Sequence, residues 1–353
     1  MTCPKVCTAA AVVANGDHMN QKTATADRAR WPAIAAAGVT VVLWASAFVA
    51  IRSTGHDFAP GALALGRLVV GALALGIVCV VRHQGWPPRA AWPGILVSGV
   101  LWFGAYMVAL NWGEHKVDAG TAAMLVSIGP ILIVLLGSWL LGEGLPNRLV
   151  AGLVVAFAGA VVVGVSMSSD GRASVIGVLL CVAAAVLYAG GVVGQKPALR
   201  HASALQVTTF GCAVGAVACL PFAGQLVSQV SSAPVSATLW VVYLGLFPTA
   251  LAFTTWAYAL ARTTAGMMGM TTYIVPVVTI LLSWMFLGQT PAWLGFVGGA
   301  VCLAGVAVTR RKGRLAWRPR RVPALAQPAG TGSTLSKQPS NIDSGQIIEL
   351  RSG

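Results

Sequence analysis

Residues 119–142 read AGTAAMLVSIGPILIVLLGSWLLG, an uninterrupted apolar run with Pro130 near its centre. Residues 265–288 read AGMMGMTTYIVPVVTILLSWMFLG, with Pro276 at the corresponding place. Both runs begin with Ala-Gly and end with Leu-Gly, and corresponding residues are 146 positions apart throughout. The chain therefore contains an ungapped internal repeat.

The composition is that of an integral membrane protein. Of the 353 residues, 57% are hydrophobic and only 9% are charged, whereas about 25% of the residues in a soluble domain are charged. A bilayer core of about 30 Å requires about 20 apolar residues in a helix. Ten runs of this kind predict an all-α membrane protein with ten transmembrane helices, at residues 33–51, 59–81, 93–112, 117–141, 149–167, 174–194, 204–223, 239–260, 265–287 and 292–309.

The repeat divides these ten helices into two five-helix halves, residues 31–167 and 174–310. Because five is odd, the second half must enter the membrane in the opposite direction. Inverted repeats are typical of secondary transporters that work by alternating access, with the substrate site between the halves at the midplane. A passive channel and a non-transporting membrane scaffold are the alternatives.

Positive charge lies mainly on one side of the predicted bundle. The net charge is +14, and 19 of the 23 Lys and Arg residues fall on the side that also holds both termini. The positive-inside rule therefore predicts cytoplasmic termini, with disordered tails at 1–30 and 311–353. We expect the basic C-terminal tail to contact anionic lipid headgroups and not nucleic acid. The expected partner is a small-molecule substrate, and the expected state is a monomer or weak homodimer.

Several short stretches resemble one transporter family. They are WASAF at 44–48, PGALALGR at 60–67, ALNWGEHKVDAG at 109–120 and LGEGL at 141–145. In this order and with the duplication, the chain resembles the bacterial EamA type of the drug/metabolite transporter superfamily. The resemblance implies export or exchange of small metabolites, such as amino acids, or of drugs across the bacterial inner membrane. The chain differs at Gln289, where the second copy of the motif usually carries glutamate.

Pro130 and Pro276 lie near the middle of spans four and nine. A proline inside a helix removes a backbone hydrogen bond and bends the helix, and the carbonyl groups released in this way can face a cavity. The pair is therefore predicted to line a substrate site and act as pivots. Simple packing kinks are the alternative.

Arg67 is the only charged residue well inside a predicted span. At the centre of a membrane helix an arginine costs about 2.5–3.5 kcal/mol on insertion scales, so it should face protein or water. Either it holds backbone carbonyls or it binds a substrate carboxylate. The other predicted cavity residues are aromatic or small and polar, a composition that suits compact amphipathic ligands. They are Trp44, Ser46, Tyr106, Asn111, Ser127, Tyr188, Thr254, Trp256, Tyr258 and Tyr273.

The remaining polar residues point away from enzymatic chemistry. The sequence contains no nucleotide-binding P-loop, no Ser-His-Asp set and no HExxH helix, so we expect no enzyme activity, no cofactor and no metal. All nine carboxylates lie in tails or near helix ends, which favours a uniporter or exchanger unless Glu114 points into a vestibule. Glu143 is expected to cap the fifth helix or to pair with Arg148.

Overall fold

A computed structural model describes residues 31–47, 50–51, 57–117, 122, 125–167, 174–287 and 293–310. All regular secondary structure in these ranges is helical. Both predicted tails and Gln289 lie outside the described residues.

The described helices follow the order of the predicted spans. They are α1 (Trp31–Ala47), α2 (Pro60–Val81), α3 (Arg89–Glu114), α4 (Gly129–Leu141), α5 (Asn147–Met167), α6 (Val175–Ala198), α7a (Ala204–Ala218), α7b (Ala223–Ser232), α8 (Val235–Arg262), α9a (Ala265–Thr271), α9b (Ile274–Leu287) and α10 (Trp293–Arg310).

Hydropathy and length support a multi-pass bundle. Helices α2, α3, α5, α6 and α8 are each long and apolar enough to cross a membrane, and α7a with α7b becomes a sixth span if this pair, bent by 56°, is counted as one. The shorter apolar helices are α1, α4, α9a with the first part of α9b, and α10. The prediction of an all-α integral membrane protein is confirmed.

Span seven differs from its predicted extent of 204–223. Helix α7a already ends at Ala218, and Pro221 lies in the short 3-10 turn that follows it. The chain then continues as α7b, which the sequence did not indicate because its serines and glutamines are typical of a loop. The Gln229 side chain on α7b accepts a hydrogen bond from the backbone N–H of Ala59 at 2.9 Å. This contact holds the residue before α2 in place.

The two repeated prolines mark breaks in the helices. Span four is interrupted by a turn at Ser127–Ile128, and Pro130 lies in the first turn of α4 that follows. Span nine is interrupted at Thr272–Tyr273, and Pro276 is the third residue of α9b. A proline has no N–H to donate and is tolerated in the first turn of a helix, where the N–H has no intrahelical acceptor. Both predicted kinks therefore coincide with two-residue turns that interrupt the helix, at nearly equivalent places in the two halves.

Two contacts mark the axis that relates the halves. The Tyr273 hydroxyl donates to the backbone carbonyl of Ser127 at 2.8 Å, and the Cys302 thiol donates to that of Ala156 at 3.4 Å; the partners are 146 residues apart in each pair. A residue contacts its own repeat copy only near a two-fold axis. The pseudo-two-fold axis therefore passes through the α4/α9 crossing and the α5/α10 crossing.

Helices α5 and α10 meet backbone to backbone. A Cβ atom placed on Gly152 would lie 2.6 Å from the carbonyl oxygen of Gly305, and one placed on Gly305 would lie 2.6 Å from that of Gly152. The repeat-related pair of Gly159 and Gly298 shows the same reciprocity, at 2.7 and 2.9 Å. Small residues allow this approach between membrane helices, which packing holds together without a hydrophobic driving force.

Two π-helical segments were not predicted. Residues Gly99–Tyr106 of α3 and Gly245–Leu251 of α8 are both π-helical, and their first residues occupy equivalent repeat positions. Gly99 lies against Val214 of α7a, and Gly245 lies against Val70 of α2. Each π segment thus packs on a helix of the opposite half. Such segments shift side-chain register and occur often at functional sites.

Candidate functional site

Seven aromatic side chains from four helices meet at the largest apolar core. Neighbouring rings have centroids 4.6–6.0 Å apart. Helices α1 and α3 contribute from the first half, and α6 and α8 from the second. We term this group the aromatic cluster; its members are Trp44, Trp102, Phe103, Tyr106, Tyr188, Phe253 and Trp256.

Trp102 is the centre of the aromatic cluster. It is 1% exposed, and its ring lies 4.8 Å from Phe253, 5.6 Å from Tyr188 and 6.0 Å from Trp44. A Cβ atom on Gly191 of α6 would overlap the Trp102 side chain and lie 3.0 Å from its backbone nitrogen. A glycine at this point therefore lets α6 approach the tryptophan closely.

Trp44, Tyr106, Tyr188 and Trp256 are predicted cavity residues, and the structure brings these four together. Trp102, Phe103 and Phe253 are not among the predicted residues. A usable signal was present, because tryptophan prefers the membrane interface. A tryptophan in the middle of span three, such as Trp102, is therefore better explained by packing inside the protein.

Arg67 is buried beside the aromatic cluster. Its side chain is 7% exposed, and its Nε donates to the Thr249 hydroxyl on the π segment of α8 at 2.9 Å. The guanidinium group interacts electrostatically with Tyr106 and Glu114. Within the described ranges, Thr249 is the only hydrogen-bonding partner of the Arg67 side chain. A planar guanidinium is well shaped to bind an acceptor such as a carboxylate.

The break in span four adjoins the aromatic cluster. A Cβ atom on Gly129 would lie 2.6 Å from Cδ1 of Tyr188, so the start of α4 packs directly on this ring. Next to it, Ser127 and Tyr273 form the crossing of spans four and nine, with Pro130 just beyond. The predicted residues of the two broken helices therefore lie next to the cluster that the other spans build.

Ser46 and Asn111 bind groups outside the aromatic cluster. The Ser46 hydroxyl is 2.8 Å from the Tyr243 hydroxyl at the start of α8. The buried Asn111 side chain donates to the carbonyl of Pro60 at 3.0 Å, which fixes the first residue of α2 to α3. These interactions join helices.

Thr254 and Tyr258 also lie apart from the rings. The Thr254 hydroxyl donates to the Ala250 carbonyl of its own helix at 2.7 Å. The ring of Tyr258 is covered by the Arg262 guanidinium, whose central carbon is 3.4 Å from the ring centroid. Tyr258 therefore belongs to the end of α8 and is not close to the centre of the bundle.

Two charged side chains hold helix ends at one end of the bundle. Glu143 accepts from the backbone N–H of Ala265 at 2.9 Å and from that of Gly266 at 3.3 Å. Lys196 of α6 donates to the backbone carbonyls of Leu260 and Thr263 at the end of α8. We term Glu143 and Lys196, with these backbone groups, the latch.

The role predicted for Glu143 needs correction. Of the two expected roles, a cap of α5 or a pair with Arg148, the first is wrong, because Glu143 caps α9a of the second half. The first N–H groups of α9a have no intrahelical acceptor and carry the positive end of the helix dipole, so they bind a nearby carboxylate. Since α4 and α9 cross, the loop after α4 ends beside α9a and not beside the start of α5.

Comparison with known proteins agrees with this architecture. Residues 31–165 and 175–311 each match the EamA-like transporter family. A protein of Streptantibioticus cattleyicolor named "Probable terminal-alkyne amino-acid exporter" is 38% identical over 78% of this chain and 92% of that protein. The "Uncharacterized transporter YdfC" of Bacillus subtilis is 31% identical over 76% of this chain and 88% of that protein.

A crystal structure of a 25% identical protein superposes with a TM-score of 0.66 and covers 80% of this chain and 97% of that one. The family match covers both repeats, and each half of the bundle corresponds to one matched region. The chain therefore belongs to the EamA-like transporter family and is a multi-pass membrane protein for the transport of small molecules.

Proposed function

We propose that this protein exports or exchanges compact amino-acid-like compounds with an apolar side chain across the bacterial inner membrane. The observation that carries the proposal is the aromatic cluster, to which both halves contribute rings and beside which an arginine is buried. The name of the Streptantibioticus cattleyicolor relative, an exporter of an amino acid, supports this substrate class.

The two parts of such a substrate match two parts of the site. The rings of the aromatic cluster offer dispersion contacts to a small apolar or unsaturated side chain. The Arg67 guanidinium, whose Nε is anchored to Thr249, binds the carboxylate through its terminal nitrogens. A charge-assisted pair of this kind is about twice as strong as a neutral hydrogen bond.

Alternating access is supported by the fact that both halves of the bundle contribute rings to the aromatic cluster. Because Trp44 and Trp102 belong to one half and Tyr188 and Trp256 to the other, movement between the halves opens the cluster. The broken spans four and nine, which cross on the pseudo-two-fold axis, are suited to act as pivots. The latch closes the end of the bundle at which Glu143 and Lys196 lie, and the positive-inside rule makes that end cytoplasmic.

A counterflow assay tests this function. Proteoliposomes loaded with unlabelled L-propargylglycine, a terminal-alkyne amino acid, are diluted into radiolabelled L-propargylglycine. An exchanger accumulates label transiently, and L-phenylalanine in the lumen supports the same uptake. Label that equilibrates without this trans-stimulation would indicate a channel, and absence of flux with both amino acids would contradict the proposal.

Replacing Trp44 with alanine is expected to raise the KM for L-propargylglycine at least tenfold. Trp44 contacts Trp102, Phe253 and Trp256 with centroid distances of 5.0–6.0 Å, so its removal deletes one wall of the site. Initial rates of counterflow measure the KM. The control is Trp31→Ala on the same helix, because Trp31 is 70% exposed and should leave the KM unchanged. Equal KM values for the two variants would contradict the assignment.

Replacing Thr249 with valine is expected to raise the KM for amino acids and to lower the unfolding temperature slightly. Valine keeps the shape of threonine but leaves the buried Nε of Arg67 without its acceptor, a loss of about 1–3 kcal/mol. Transport kinetics and thermal unfolding are measured on the same preparation. Thr279→Val serves as control, since the Thr279 hydroxyl bonds only a carbonyl of its own helix. A wild-type KM in Thr249→Val would show that Arg67 does not need this anchor.

A further inference from the structure

Gln195 is a fully buried amide. It lies on α6 three residues before the helix ends at Ala198, its exposure is 0%, and neither its Oε1 nor its Nε2 has a hydrogen-bonding partner among the residues that the structure describes. An unsatisfied buried polar group destabilises the fold, and buried polar groups in native proteins are nearly always paired. A ligand that is bound during part of the transport cycle would explain why this amide lies in the interior.

The position of Gln195 on α6 directs its side chain toward the bundle interior. It follows Tyr188 by seven residues, which is two helical turns, or about 10 Å, on the same face. Tyr188 packs against Trp102 and Tyr106 of the aromatic cluster. Lys196, the next residue, belongs to the latch. Gln195 therefore lies between the aromatic cluster and the latch.

Trp256 of α8 provides a second buried polar group without a partner among the described residues. Its ring is 1% exposed, and its indole Nε1 has no hydrogen-bonding partner in the described part of the chain. Trp256 precedes Leu260 by one helical turn, and the Leu260 carbonyl accepts from Lys196, beside Gln195. The indole donor of Trp256 thus lies one helical turn from the Leu260 carbonyl, and the carboxamide of Gln195 belongs to the residue before the lysine that binds this carbonyl.

We propose that Gln195 and Trp256 form a second polar subsite, which binds the zwitterionic head group of an α-amino acid on the latch side of the aromatic cluster. The carboxamide oxygen accepts from the ammonium group, and the carboxamide N–H and the indole N–H donate to the carboxylate. These protein groups are neutral, so they match a head group without net charge. The inference rests on the proposed function and adds a second subsite to it. Arg67 lies seven residues from the start of α2 at Pro60. The new subsite faces the opposite end of the bundle.

The variant Gln195→Leu tests this subsite because it should leave stability without substrate unchanged or higher while it weakens substrate binding. Leucine removes the unsatisfied amide at similar volume, so the unfolding temperature without substrate should equal or exceed that of the wild type. The KM for L-propargylglycine should rise about tenfold, and the increase in unfolding temperature at a fixed concentration of L-propargylglycine should be smaller than in the wild type. The control is Gln225→Leu, since Gln225 is exposed on α7b.

Each outcome is informative. A Gln195→Leu variant that keeps both the wild-type KM and the substrate-induced increase in unfolding temperature would overturn the subsite, while wild-type counterflow would still support the proposed function. Absence of counterflow and of any substrate-induced shift in the wild type would overturn both. If Gln195→Leu does not fold, Trp256→Phe decides, since it keeps a ring and removes only the indole donor; a raised KM supports the subsite and a wild-type KM overturns it.

Discussion

Replacing Gly305 with alanine is expected to remove most of the folded protein. The added Cβ atom would lie 2.6 Å from the Gly152 carbonyl oxygen and 2.7 Å from the Ala156 Cα, and these neighbours are backbone atoms that no rotamer change can move. Overpacking in cores that can adjust costs about 1–3 kcal/mol, and this crossing cannot adjust without separating α5 from α10. The measurement is the monodisperse fraction after detergent extraction and heating.

The matched control for Gly305→Ala is Gly76→Ala in α2. A Cβ atom on Gly76 meets nothing within 4 Å, and alanine favours a helix over glycine by about 1 kcal/mol. Gly76→Ala should therefore be neutral or stabilising. Gly152→Ala should resemble Gly305→Ala, because it disturbs the same contact from the other side. An unfolding temperature of Gly305→Ala equal to that of the control would contradict the backbone packing described at this crossing.

Replacing Trp102 with alanine is expected to destabilise the fold by about 3–5 kcal/mol, the range for a large aromatic residue deleted from a core. The ring is 1% exposed and contacts aromatic neighbours from both halves. Its loss opens a cavity that Gly191 cannot fill, so the variant should unfold at a markedly lower temperature. Intrinsic fluorescence during heating measures the transition.

Trp139→Ala is the control for this substitution, since Trp139 of α4 is 80% exposed and its removal leaves no internal cavity. Comparable unfolding temperatures for Trp102→Ala and Trp139→Ala would show that the aromatic cluster is not the packing centre. Addition of L-phenylalanine provides a further readout, because a ligand that occupies the cavity should restore part of the lost stability.

The sequence predicts the architecture well because its internal repeat corresponds directly to the two halves of the bundle. The spacing of Pro130 and Pro276 indicated both the duplication and the places where the helices break. The π segments and α7b could not be predicted, because in an uninterrupted apolar run no local pattern distinguishes a π turn from an α turn. Helix α7b is amphipathic, so it lacks the long, continuous apolar run that identifies a membrane span.

The site was predictable only in part, for a related physical reason. Aromatic residues such as Trp44 and Tyr188 stood out by type, but in spans that are apolar on every side the sequence does not reveal which face is internal. Whether the side chains of Trp102 and Gln195 face the interior depends on how their helices are rotated about their axes. The partner of Glu143 depends on the crossing of spans four and nine, which brings α9a to a carboxylate more than a hundred residues away in sequence.

The matching π segments carry information about ancestry. Such a segment arises when one residue is inserted into an α-helix and the fold absorbs it as a bulge. An insertion that occurred after the duplication would be present in only one of the two halves. It would also change the spacing between equivalent residues that follow it. Here Gly99 and Gly245 begin equivalent segments with the same spacing as the prolines. The bulge therefore predates the duplication, and the five-helix unit that was duplicated already had an irregular third helix.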